Sequence, residues 1–97
     1  MKKLQIKTEI VELDGDYAGW KFTARVNPPM RVVRDISSGD IERIMPALAS
    51  VITEWNFIDE NGVPFECSEA GLNELAIDLM MKVATAYSDK VGNTEKN

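Results

Sequence analysis

The side chains best suited to chemistry in this sequence are few. Cys67 lies between Glu66 and Ser68, just before a predicted helix start. A helix N-terminus lowers a thiol pKa, but the adjacent carboxylate opposes that effect, so we interpret Cys67 as a structural or incidental residue. The 97 residues contain no histidine, the most frequent general base and metal ligand. A nucleophilic site would need the cysteine, or a serine with a lysine or carboxylate base. These residue types predict a protein without catalytic activity.

The densest group of oxygen ligands is Asp59, Glu60 and Asn61, which resembles part of a calcium-binding loop. Such a loop needs a glycine at its sixth position and a glutamate at its twelfth, and counting from Asp59 these are Pro64 and Ala70. A tight turn explains the cluster better. We therefore predict no metal and no cofactor. The single cysteine allows no internal disulfide, which favours a reducing compartment.

The overall charge argues against nucleic acid as a partner. The chain has 11 basic and 16 acidic residues and a net charge of −5, whereas nucleic-acid-binding domains usually carry a basic stripe. Arg31, Arg34 and Arg43 form at most a small basic patch, which we expect to be paired internally. The longest uncharged run, residues 44–53, is far shorter than the ~20 residues of a membrane-spanning helix. The sequence predicts a soluble cytoplasmic protein with no membrane partner.

The first third of the sequence predicts an antiparallel β-hairpin. Apolar and polar residues alternate over 4–10 and again over 20–26, with an Asp14-Gly15-Asp16 turn signal between them. Placing Ile10 opposite Trp20 and Leu4 opposite Val26 puts the apolar side chains on one face. Because an isolated hairpin is marginally stable in water, that face needs a cover.

Two middle helices follow in the prediction. Asn27 precedes two prolines and fits an N-cap, Gly39 fits the end of the first helix, and Asp40 fits the N-cap of the second. The second helix extends through Ile52, interrupted in its pattern by Pro46.

A short second hairpin is predicted next, with arms at 55–58 and 63–65 around an Asn-Gly turn. The strongest helical pattern is the last one, residues 72–91, begun by Ser68 and stopped by Gly92. A short helix followed by a longer one is the alternative, because Gly71 weakens the start. The order of elements predicts a single α+β domain over residues 1–92 and a polar tail over 93–97.

The last helix has more apolar surface than one core face requires. Its predicted core face comprises Leu72, Leu75, Ala76, Leu79, Val83 and Ala86. A second apolar side gives the candidate protein-binding residues Ile77, Met80, Met81, Ala84 and Val91. Methionine-rich surfaces suit adaptable protein binding. The competing interpretation is a central helix packed on several sides, and self-association through this helix is also open.

Spaced short motifs over residues 13–90 resemble a known family. They are Asp16 to Trp20, Asn27-Pro28-Pro29, Ser38-Gly39-Asp40, and Trp55-Asn56-Phe57 with Asp59, Gly62 and Pro64. This pattern is similar to tail assembly chaperone-like proteins of tailed phages and prophages with long, non-contractile tails. The resemblance implies a non-enzymatic factor in the cytoplasm of the bacterial host. It would hold the tape-measure protein while the tail tube polymerises.

Two other roles remain open at this point. A structural subunit of the virion, such as a minor tail or connector component, would have a similar composition. A small enzyme or a regulator of host proteins is the third alternative, which the missing histidine disfavours. The resemblance supplies no functional residues, so the candidates are those on the last helix.

Overall fold

A computed structural model describes the backbone of residues 3–95 and the side chains of residues 3–92. It contains a three-stranded antiparallel sheet and four α-helices, which confirms the predicted α+β class. The strands are β1 (Thr8–Glu12), β2 (Lys21–Arg25) and β3 (Ile52–Trp55). The helices are α1 (Met30–Ile36), α2 (Ile41–Val51), α3 (Glu69–Glu74) and α4 (Ile77–Glu95).

The sheet has the order β1-β2-β3, and the predicted N-terminal hairpin forms its first two strands. Its register differs from the prediction: Ile10 lies opposite Thr23, and Val11 lies opposite Phe22. Val11 and Leu13 therefore enter the core, whereas Leu4, Ile6 and Ile10 are exposed. The expectation that Leu4 and Ile10 face the core was wrong.

The connection between the strands explains this register. A 3-10 turn at Gly15–Tyr17 lengthens the loop, and the Leu13 N–H donates to the Trp20 carbonyl at 2.8 Å. The predicted and observed pairings differ by an odd number of residues, which moves every β1 side chain to the other face of the sheet. The buried Phe22 and Ala24 on β2 then join Val11 and Leu13 in the core.

The middle helices match the prediction in position but not in every cap. Asp40 caps α2, since its side chain accepts a hydrogen bond from the Glu42 N–H at 3.0 Å. Asn27 is not the cap of α1; Pro29 occupies that position, and the Asn27 side chain bonds the N-terminal segment instead. Ile52 was predicted to be helical but begins β3, because its backbone turns extended and pairs with Ala24.

The predicted second hairpin exists in reduced form. A single bridge joins Ile58 to Pro64, and the Asp59 N–H donates to the Val63 carbonyl at 2.9 Å. Trp55 belongs to the main sheet rather than to this hairpin, since it pairs with Phe22. Trp55 and Trp20 both pack against the buried Phe57, at centroid distances of 4.8 and 5.5 Å, which fits the core role expected of them.

The C-terminal region follows the alternative of a short helix before a long one. Ser68 caps α3 by accepting a hydrogen bond from the Gly71 N–H, and the chain turns extended at Leu75 before α4 begins. Gly92 does not end α4, which continues to Glu95. Residues 96 and 97 of the predicted polar tail lie outside the described part of the chain. Over residues 3–95, no helix combines the length and apolar character needed to cross a bilayer.

Candidate protein-binding site

The structure divides the predicted binding surface on α4 between core and solvent. Ile77 is 66% exposed and Met81 is 49% exposed, whereas Met80, Ala84 and Val91 are buried. The expectation of one continuous apolar face is therefore corrected: three of its five residues pack inside the domain. Burial continues around α4 because the helix contacts both the sheet and α1, so two neighbouring sectors of its circumference are covered.

Ile77 lies at the rim of a groove with a mixed apolar and polar lining, formed where three helices meet. We call this the three-helix groove; its volume is about 380 Å³. It is lined by Ile41, Glu42, Met45, Pro46, Glu69, Leu72, Asn73, Leu75, Ile77 and Met80. The buried Met80 forms part of its floor, so two of the predicted residues share this site.

Local sequence explains how the walls of the three-helix groove are placed. The Asp40 cap puts Ile41 in the first turn of α2, where its side chain stays exposed. On the opposite wall, the Ser68 cap begins α3, and the break at Leu75 turns the chain before Ile77. Leu75 lies outside both helices but is buried, so the link between α3 and α4 is anchored in the core.

Gly71 allows α3 to sit close to the preceding loop. A β-carbon at this position would overlap the backbone carbonyl of Glu66 and would also crowd the Trp55 ring. The helix therefore needs a residue without a side chain here, although glycine lowers intrinsic helix propensity. The glycine that weakened the sequence prediction of a helix start is what permits the packing of α3.

The charged residues that line the three-helix groove are all acidic. Among the described residues that line it, the charged ones are Glu42 and Glu69, both exposed. The groove thus offers apolar side chains between two carboxylates. Such a surface suits an apolar helix flanked by lysine or arginine, since anchors at i, i+3 and i+4 fill a groove of this kind.

Met81 faces a second depression, on the other flank of α4. We call it the strand–helix groove; it has a volume of about 460 Å³, and β1 and α4 form its walls. Two ion pairs cross between these walls: Lys82 Nζ lies 2.8 Å from Asp14 Oδ1, and Lys90 Nζ lies 3.3 Å from Glu9 Oε1. Hydrogen bonding and charge attraction from Lys82 hold the pKa of the Asp14 carboxyl below its usual value.

The titratable groups with shifted pKa values have structural explanations. Cys67 is an exposed residue, but partial desolvation of its thiol, and to a lesser extent the charge of Glu54, raises the thiol pKa and so lowers its thiolate fraction. Burial raises the pKa of Tyr87 to about 12, and its hydroxyl donates to the Arg25 carbonyl at 2.6 Å. The hydrogen bond to Asp78 raises the pKa of Tyr17. Within the described residues, no cluster of three or more cysteine and carboxylate side chains could hold a metal.

The basic residues of the middle helices are only partly paired as expected. Arg43 lies 3.9 Å from Asp35, at the limit of an ion pair and largely in solvent, where such contacts contribute little.

Sequence reasoning missed the residues contributed by other elements. Ile41 and Met45, which line the three-helix groove, were not among the predicted binding residues, and Ile10, which lines the strand–helix groove, was expected in the core of the hairpin. The signal for Ile10 was present in β1 itself, where Val11 and Leu13 offered a second, competing apolar alternation. Which of the two alternations faces inward depends on the loop that follows, and composition does not reveal its hydrogen bonds.

Comparison with known proteins does not identify a family for this chain. No protein-family model, no curated protein and no solved structure matches it. Its function must therefore be argued from the surfaces described above.

Proposed function

We propose that this protein is a non-enzymatic phage tail assembly chaperone that binds the tape-measure protein during tail morphogenesis. The observation that supports the proposal most is the three-helix groove, a depression open to solvent between α2, α3 and the start of α4, where the exposed apolar side chains of Ile41 and Ile77 lie on the lining. Concave surfaces that combine apolar side chains with a few polar groups are typical of binding sites. The motif resemblance supplies the identity of the client.

In this proposal, an amphipathic helical segment of the client lies in the three-helix groove. Its apolar residues contact Ile41 and Ile77 at the rims and reach toward Met45 on the floor. Basic residues beside that apolar stripe pair with Glu42 and Glu69. The bound chaperone covers the apolar stripe of the client, and its net charge of −5 keeps the complex dispersed.

Co-expression with the tape-measure protein of the same operon tests this proposal. The full chain should keep the client soluble and elute with it as a complex. Ile77→Asp should weaken that complex by about tenfold or more, because a charge replaces an apolar anchor. The fold should be retained, since Ile77 is exposed and an acidic residue is favourable in the first turn of a helix.

Val63→Asp is the matched control, because Val63 is also exposed but lines neither groove. A complex that both variants weaken equally, or that Ile77→Asp leaves unchanged, contradicts binding in the three-helix groove. If the client stays equally insoluble and no complex elutes, the chaperone role itself is wrong. Mass spectrometry of purified particles then tests the alternative, because a minor tail or connector subunit is present in finished virions and a chaperone is absent.

A further inference from the structure

Strand β1 lies at one end of the sheet, and its hydrogen-bonding pattern determines which backbone groups face outward. The Leu13 N–H donates to the Trp20 carbonyl, and the Val26 N–H donates to the Lys7 carbonyl, each at 2.8 Å. Odd-numbered residues of this segment therefore bond β2. In an antiparallel ladder the intervening residues point their N–H and C=O groups the other way. Those of Thr8, Ile10 and Glu12 face outward, and within residues 3–95 no strand pairs with them.

Asn27 extends this open edge toward the N-terminus. Its side-chain oxygen accepts from the Lys7 N–H at 2.9 Å, and its side-chain amide donates to the Gln5 carbonyl at 2.7 Å. The Asn27 side chain thus makes the hydrogen bonds to the N-terminal segment that a longer β2 would make. As a result, residues 4–12 present one extended edge, in which the even-numbered residues remain available for pairing.

The same segment carries apolar side chains in solvent. Leu4, Ile6 and Ile10 are 83%, 65% and 56% exposed. Natural edge strands usually avoid further pairing through charged side chains, proline, a bulge or a covering element. Residues 4–12 contain neither proline nor glycine, and the ladder bulge of this sheet lies between β2 and β3 instead. The segment does carry charges at Lys7, Glu9 and Glu12, which restrict its pairing to a strand whose charges complement them.

We propose that β1 pairs antiparallel with β1 of a second copy of this chain, about a two-fold axis at Thr8. Charge favours this register over the two adjacent ones. An axis at Lys7 places two lysines opposite each other, and an axis at Glu9 does the same for two glutamates. An axis at Thr8 places each Lys7 opposite the partner's Glu9.

The apolar side chains agree with the axis at Thr8. It places Ile6 opposite the partner's Ile10 on the outer face of the sheet, twice in the dimer, and so covers two of the exposed side chains. An axis at Ile10 would instead place Ile6 opposite the partner's Asp14 and leave Lys7 without an acidic neighbour across the strands. Of these registers, the one at Thr8 alone satisfies both the charges and the apolar residues.

The strand–helix groove borders this edge. It has a volume of about 460 Å³, and the partner strand would run along its open side. Asp89 lines the groove and adds a second carboxylate near the partner's Lys7, while Lys90 holds Glu9 in place. Met81 adds apolar contact from α4. An interface of one strand pair is smaller than the standard ~800 Å² per partner, so the dimer is expected to be weak.

Sedimentation analysis of the full chain, from about 5 to about 500 µM, brackets a weak interface and tests this proposal. The wild-type chain should change from monomer to dimer across that range. Lys7→Glu and Glu9→Lys should each weaken self-association about tenfold, because two attractive pairs become repulsive. An equimolar mixture of the two variants should form a heterodimer, since every facing pair is then opposite in charge. The double variant should self-associate like the wild type.

A backbone variant separates this proposal from the proposed function. Thr8→Pro removes an N–H that points away from β2, so the monomer should keep its melting temperature while dimerisation is lost. Client binding should remain, and Ile77→Asp should in turn leave the dimer intact. A wild-type chain that stays monomeric at the highest concentration overturns the proposal. So does a dimer that survives Thr8→Pro, or a mixture of the charge variants that stays monomeric.

Discussion

The two flanks of α4 present surfaces of different construction. On one flank, the three-helix groove is made of side chains, with Ile41 and Ile77 at its rims and carboxylates of one sign beside them. On the other flank, the strand–helix groove borders the open backbone edge of β1, with charges of both signs along it. The first surface suits a helix that presents side chains, and the second suits a strand that presents backbone groups.

This difference determines how each surface achieves specificity. In the proposed client complex, specificity would depend on the size and charge of the client's side chains, so a single substitution such as Ile77→Asp should weaken it. In the proposed dimer, the backbone of β1 would supply attraction to an extended chain, and the order of charges around Thr8 would select the register. Because the two grooves lie on different flanks of α4, the two proposed interactions do not compete for the same surface.

The largest expected effect is that of Gly71→Ala, which should damage one surface and spare the other. The new methyl group would overlap the backbone carbonyl of Glu66, which cannot move without displacing α3. We expect the free energy of unfolding to fall by about 3 kcal/mol or more, as for a severe steric conflict in a core. Thermal or urea denaturation measures the loss.

Gly92→Ala is the matched control for that experiment, because no atom lies within 4 Å of the position of its β-carbon. Alanine there should leave stability unchanged or raise it by up to about 1 kcal/mol through helix propensity. Self-association of the Gly71→Ala protein should persist where it is still folded, because α3 contributes no residue to the strand–helix groove beside β1. A Gly71→Ala protein as stable as the Gly92→Ala protein would show that α3 tolerates a side chain at residue 71.

The sequence predicted the secondary-structure elements on both flanks of α4 better than it predicted which of their residues are exposed. The Asp40 and Ser68 caps gave the starts of α2 and α3, because capping depends on residues within one turn. The register of β1 could not be obtained in the same way, since it depends on a hydrogen bond between Leu13 and Trp20 across a folded loop. Without the register, the exposed side of β1 could not be identified.

The candidate site on α4 was predicted only in part, for a similar reason. Helical periodicity places Met80 and Met81 on one broad apolar arc but does not show where the neighbouring helices lie. Packing against α1 and the sheet then buried Ala84 and Val91 and left Ile77 outside. The side of a helix that becomes a surface is determined by tertiary contacts, which one sequence does not contain.

A change of intermediate size is expected from Tyr87→Phe. This variant weakens the attachment of α4 to the sheet, and α4 forms part of both grooves. The Tyr87 hydroxyl joins α4 to β2 by donating to the Arg25 carbonyl at 2.6 Å. Its loss leaves a partly buried carbonyl without that donor and should reduce the free energy of unfolding by about 1–2 kcal/mol. Both surfaces should keep their binding preferences, because neither contains the hydroxyl.

The pH dependence of the same variant sharpens the test. The pKa of Tyr87 is raised to about 12 in the folded protein, from 10.0 when unperturbed. Between these values the unfolded chain loses the proton first, so the wild type should lose stability as pH rises from 10 to 12. The loss is at most about 3 kcal/mol, and Tyr87→Phe should lack it. If the free energy of unfolding falls equally for the two proteins between pH 10 and 12, the assignment to Tyr87 is contradicted.

The smallest expected effect is that of Lys82→Met, which alters one end of the strand–helix groove only. Lys82 lowers the pKa of Asp14, first through its hydrogen bond and then through its charge. A lowered pKa stabilises the folded protein above the unfolded value of 3.8, and that contribution disappears as pH falls through the folded pKa. The variant should therefore show a higher Asp14 pKa, measured by NMR of its carboxyl carbon, and should match the wild type in stability at the lowest pH.

Lys90→Met is the control, since Lys90 contacts Glu9 at the other end of the groove and should leave the Asp14 pKa unchanged. If both variants shift Asp14 alike, the effect comes from the charge of α4 as a whole, and the two ends of the groove are not independent.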